Sequence, residues 1–229
     1  MEKTNLDKSK SKKTKSNRPN PFIKVFLFLC GYPMFCFLQI FRLPYCFMRK
    51  RAAANRECNR AGILKFPLNG QGIGVLKDMQ IGRYNFAHSG CGAIATYNVL
   101  SMAGIEPQME EIVDFYEKKG LICYAGLGIN PQAVGRFLRK QGLVAGRYAG
   151  RRITDECLKN GQYGILMYWW GTAKGCGAHY VAVERREEKL LVYNEHNLAT
   201  SAKEYKDLQT FLSGGNYKRA VVLFVIEKC

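Results

Sequence analysis

The 229-residue chain is 47% hydrophobic and 23% charged, which excludes wholesale disorder. Its net charge of +17 is uneven: residues 1–61 hold 14 Lys/Arg against Glu2, Asp7 and Glu57, and the remainder is far closer to balance. No zinc finger, aromatic-basic RNA-binding signature or groove-reading helix accompanies that charge, so nucleic acid is excluded as the expected partner. Nine cysteines, an odd number without framework spacing, point to a reducing compartment, with a Cys123–Cys157 pair left open.

Residues 1–20 are a basic, Lys/Ser-rich tail with too little apolar surface to pack. Residues 21–61 form a hydrophobic membrane-associating segment with basic flanks, its uncharged run Val25–Phe41 interrupted by Pro33 and Gln39. At 17 residues the run sits at the lower limit for a spanning helix. Positive charge on both flanks favours an interfacial segment held by an anionic membrane surface, on the cytoplasmic face. Cys30, Cys36 and Cys46 are candidate acyl acceptors within it.

A globular domain follows over residues 65–229. Helical periodicity predicts helices over Cys91–Ala103, Gln108–Lys119 and Pro131–Gln141, with Asn130 capping and Pro131 at the first helical position. A short helix is expected over Thr154–Asn160 and another over Lys203–Leu212. Strands are expected over Tyr163–Trp170, Tyr180–Glu184, Leu190–Asn194 and Ala220–Ile226. Segregated helices and strands predict an α+β fold, N-terminal helices packed against a C-terminal antiparallel sheet.

Two stretches carry chemistry. Ser89-Gly90-Cys91-Gly92 places Cys91 in the first turn of a buried helix, where orphan N–H groups and the helix dipole favour a thiolate. Gly90 and Gly92 leave room for close approach to the sulfur. His179 opens an alternating strand behind the glycine-bearing loop 171–177, well placed to act as the base. The next strand ends at Asn194, whose side-chain oxygen is expected to orient the imidazole. His196 is an alternative orienter. His88, Gly90 and Gly177 are read as substrate-contacting, and Tyr168, Trp169 and Trp170 as groove or core aromatics. A rival assignment clasps zinc with His88, Cys91, Cys176 and His179.

Gly90-Cys-Gly-Ala-Ile-Ala, Gly177-Ala-His-Tyr-Val-Ala-Val and Val192-Tyr-Asn194 together resemble the papain-like cysteine peptidases. The nearest branch is the bacterial double-glycine leader peptidases and their stand-alone relatives, and the resemblance spans residues 80–226. It implies a Cys91–His179–Asn194 triad, no cofactor, and a peptide or protein substrate. The oxyanion donor of that group is a Gln six residues before the Cys; here Asn85 holds the position. A separate transporter or maturation partner is also implied, because no transporter sequence follows the domain.

Overall fold

A computed structural model describes residues 48–60, 64–143, 145–172, 175–215 and 217–226. The basic tail and the apolar run lie outside the described residues. Among the described residues, no helix is long and apolar enough to cross a membrane.

Helix α1 (Arg49–Arg60) is followed by a small hairpin, β1 (Gln80–Ile81) and β2 (Tyr84–Asn85). A short α2 (Phe86–Ser89) leads directly into α3 (Cys91–Met102). Then come α4 (Met109–Lys119) and α5 (Pro131–Lys140), the latter capped by the Asn130 side chain accepting from the Gln132 N–H. The second half holds β3 (Ala145–Ala149), β4 (Tyr163–Gly171), β5 (Cys176–Arg186), β6 (Lys189–Tyr193), β7 (Lys203–Tyr205), α6 (Leu208–Ser213) and β8 (Tyr217–Ile226). The class is α+β.

The strands form one six-stranded antiparallel sheet in the order β3-β8-β4-β5-β6-β7. Both faces of its centre are covered, which is why β4 reads as a nearly unbroken apolar run. Ile165, Met167, Tyr180 and Ala182 face the core shared with α3, α4 and α5. Leu166, Tyr168, Val181 and Val183 face a second core closed by Leu158, Leu208 and Phe211. Residue parity along β4 and β5 therefore decides which side each side chain serves.

The structure corrects several expected elements. The strand β3 was not anticipated, because Ala145-Gly-Arg-Tyr-Ala149 has no apolar alternation. Thr154–Asn160 supplies only a 3₁₀ turn at Asp155–Cys157. Lys203–Leu212 divides into edge strand β7 and α6, whose start is fixed by the Asp207 carboxylate accepting from the Thr210 N–H. Cys157 carries a free thiol, which donates to the Arg152 carbonyl at 3.1 Å.

Residues 49–60, expected to belong with the apolar segment, fold with the domain instead. Asn55 Nδ2 donates to the Gly82 carbonyl at 3.0 Å and to Glu117 Oε1 at 2.5 Å, while the Gly82 N–H donates to the same oxygen at 2.8 Å. Arg56 pairs with Asp114, and Asn59 exchanges hydrogen bonds with both backbone groups of Gln80. Gly82 has φ +58, and a Cβ there would lie 2.3 Å from the Tyr124 carbonyl, so only glycine fits this turn. Burial drives the Glu117 pKa upward, and its Oε2 is buried without a partner. Asn55→Ala is therefore expected to cost about 1–3 kcal/mol, read as a lower urea midpoint, because it strips one of the few donors from a buried carboxylate.

Candidate active site

The turn that opens α3 is packed tightly at both of its glycines. A Cβ on Gly90 would lie 2.5 Å from Phe86 Cγ, and one on Gly92 would lie 2.8 Å from Ile129 Cδ1. These glycines therefore serve packing of the turn against its own supports, in addition to the access expected for substrate. Ser89 does not cap α3: its hydroxyl donates to the Ala125 carbonyl at 2.6 Å and meets His88 Nδ1 at 2.8 Å. The loop receiving it holds Tyr124 and Ala125 at φ +55 and +78, a strained pair for non-glycine residues.

Cys91 begins α3 and is 8% exposed. Backbone N–H groups of Tyr180, Gly92 and Cys91 itself point at its sulfur. The Tyr180 N–H is the informative one, since it belongs to the peptide bond that follows His179. That contact brings the sulfur beside β5 at the residue after His179. His179 is 7% exposed and sits opposite Tyr168 across the β4–β5 ladder. Its ring shares the face of Tyr168, 5.8 Å between centroids, which is the face opposite α3. The Cys91 sulfur and the His179 ring thus approach β5 near the same residue, and no hydrogen bond joins them.

His179 Nε2 lies 2.7 Å from the Asn194 backbone carbonyl. A carbonyl only accepts, so Nε2 carries the proton and Nδ1 is left as the basic nitrogen. This corrects the expected role of Asn194. Its backbone, not its amide, orients the imidazole, and its φ of +59 turns the carbonyl toward the ring. The amide is used elsewhere: Oδ1 accepts from the Gln71 N–H and Nδ2 donates to Gln71 Oε1, both at 3.2 Å. Asn69 Oδ1 also accepts from the Asn194 N–H at 2.7 Å. His196 is exposed and accepts from the Leu198 N–H, so it does not take the orienting place.

Gln71 is the site residue that inspection of the sequence missed. It is 2% exposed, braces Asn194, and donates from Nε2 to the Ala87 carbonyl at 3.3 Å, joining the orienter to the turn ahead of Cys91. Its only local signal is a pair of flanking glycines, Gly70 and Gly72.

Asn85 is exposed and caps α2, its Oδ1 accepting from the His88 N–H at 3.2 Å. His88 stacks on Tyr84 at 4.4 Å between centroids. A Cβ on Gly177 would come within 3.0 Å of the Trp170 indole, so that glycine lets the ring lie flat on β5. The zinc arrangement is not assembled: among the described residues no three His, Cys, Asp or Glu gather closely enough to hold a metal ion.

The electrostatics differ from the expected thiolate. Burial pushes the Cys91 thiol up to about 11, outweighing the three N–H groups that favour its anion. Burial also pushes His179 down to about 4, against the opposing pull of the Asn194 carbonyl. At neutral pH the resting pair is thiol and imidazole.

No protein-family model matches the chain, and no curated protein matches it either.

Proposed function

We propose that this chain is a papain-like cysteine hydrolase acting on an amide or thioester, with a peptide or protein as substrate. One observation carries the reading: a helix-start sulfur is hydrogen-bonded by the N–H immediately after a histidine whose outer nitrogen is already held. The Cys91 thiol attacks the carbonyl carbon as His179 Nδ1 takes its proton. The oxyanion is held by the N–H groups at the start of α3 and by the Asn85 amide. His179 then gives its proton to the leaving group, and water or another acceptor releases the acyl group and restores the thiol. Hydrolysis and acyl transfer share this first half.

The expected result with 4-nitrophenyl acetate is a burst of nitrophenolate equal to the enzyme present, followed by slower turnover. Cys91→Ala should release none in the burst. Equal release from both proteins would remove the enzyme reading.

The basic, apolar N-terminal segment is proposed to seat the domain on an anionic membrane. Arg49, Lys50 and Arg51, in the basic flank that follows the apolar run, stand exposed at the start of α1. Sedimentation with phosphatidylserine vesicles is expected at low salt, falling several-fold in Arg49→Ala/Lys50→Ala. Equal sedimentation with phosphatidylcholine would exclude a charge-driven attachment.

A further inference from the structure

On the face of the sheet that carries the His179 ring lies a cavity of about 600 Å³. Its walls are the rings of Tyr168, Trp170 and Tyr205, with Glu195, Lys203 and Lys218 among its polar groups. The His179 imidazole opens into it. In the reaction proposed above, the leaving group takes its proton from that imidazole, so the leaving half of the substrate lies on this side of the scissile bond.

The charge inside the cavity is not balanced. Glu195 is well partnered: Oε1 accepts from the Tyr205 hydroxyl at 2.7 Å and from Lys218 Nζ at 3.1 Å, and Oε2 faces Lys203 Nζ at 3.6 Å. Two ammonium groups therefore stand against one carboxylate. The Lys218 side chain is only 8% exposed; its ammonium is held by Glu195 and the Phe211 carbonyl and lies 4.1 Å from the Phe211 ring centroid, so it lends positive charge to the wall. Lys203 is 63% exposed at the rim, and its distance from Glu195 is beyond a hydrogen bond, so its ammonium is available. A cationic ligand would meet a carboxylate already occupied, with ammonium groups around it.

We infer that this cavity is a leaving-group pocket that selects a fragment carrying a carboxylate on a flat, apolar body. This inference rests on the hydrolase reading for its role, though not for binding itself. The carboxylate has two sources, the free C-terminus of a short peptide or the side chain of an acidic residue just beyond the scissile bond, and both meet the same two lysines.

Calorimetric titration of the full chain bearing Cys91→Ala separates binding from turnover. The probes are three short peptides: one ending in phenylalanine with a free carboxylate, its C-terminal amide, and an amidated version with aspartate before the phenylalanine. Binding of the free acid at least tenfold tighter than the amide is expected, with the advantage lost in Lys203→Gln. Lys218→Met should act in the same sense, and the exposed Lys203 keeps the test valid if the buried substitution unfolds the protein. Recovery of affinity in the aspartyl amide would assign the side-chain source; its failure would assign the C-terminus. Equal binding of all three peptides overturns the inference. Discrimination in the variant without a nitrophenolate burst in the wild type would keep the pocket and remove the hydrolase reading, and the opposite pattern would do the reverse.

Discussion

Replacing His179 by alanine is expected to slow acylation of Cys91 by about 10³-fold or more. With the thiol pushed up to about 11, the thiolate is a fraction of about 10⁻⁴ at pH 7, so attack needs a base that takes the proton in the same step. In the proposed reaction the neutral imidazole is that base. Acylation should therefore rise with pH through about 4 as His179 loses its proton, then stay level into the alkaline range. Alkylation by iodoacetamide should follow a different curve, a single rise toward about 11. An alkylation plateau already present from pH 4 would mean that a thiolate–imidazolium pair exists at rest, against the neutral assignment. The same histidine predicts acid sensitivity. The unfolded chain takes up a proton near 6.5 and the folded one only near 4, so stability is lost as pH falls between those values. The loss is about 3 kcal/mol, and His179→Ala should flatten that part of a stability-versus-pH curve.

Asn194→Ala should cost about 2–3 kcal/mol and lower acylation by about 10–10²-fold. The stability term has two parts: loss of both bonds to Gln71, which leaves buried amide groups unmade, and a left-handed φ of +59 that alanine tolerates less well than asparagine. The rate term follows from geometry, because the carbonyl that fixes Nε2 loses the brace that fixes it. Asn194→Gly relieves the φ strain without restoring the Gln71 bonds, so its denaturation midpoint should recover in part while its rate stays low. Gln71→Ala should reproduce the rate loss from the other end of the pair. Full activity in Gln71→Ala would show that the brace has no part in placing the carbonyl.

These residues also mark what a linear reading can reach. Helices α4 and α5 were legible because each carries a helical apolar stripe and local start signals such as Asn130-Pro131, and α3 because a small and apolar run follows Gly90-Cys91 and ends before Gly104. The sheet was legible where both faces are buried, as in β4, and illegible at its edges. There β3 and β7 are specified by pairing with β8 and β6, more than by their own residues. Cys91 and His179 stand out in the sequence because their types and local settings are unusual. Asn194 was found for the wrong atom, since a side-chain type suggested the role and the backbone performs it. Gln71 was missed because its partner stands 123 residues away. The thiol was expected to be acidic from its place at a helix start, yet burial, which depends on the whole fold, outweighs the local dipole.

The position of β8 has a consequence for how the protein comes into being. This strand, Tyr217–Ile226, is inserted between β3 and β4, so β4 keeps one unpaired edge until synthesis has passed residue 226. A nascent chain that has already produced Cys91, His179 and Asn194 still exposes that sticky border, with Ile165, Leu166 and Met167 along it. The sheet is complete only once β8 has been made, and a chain that stops before it leaves this border of β4 unpaired.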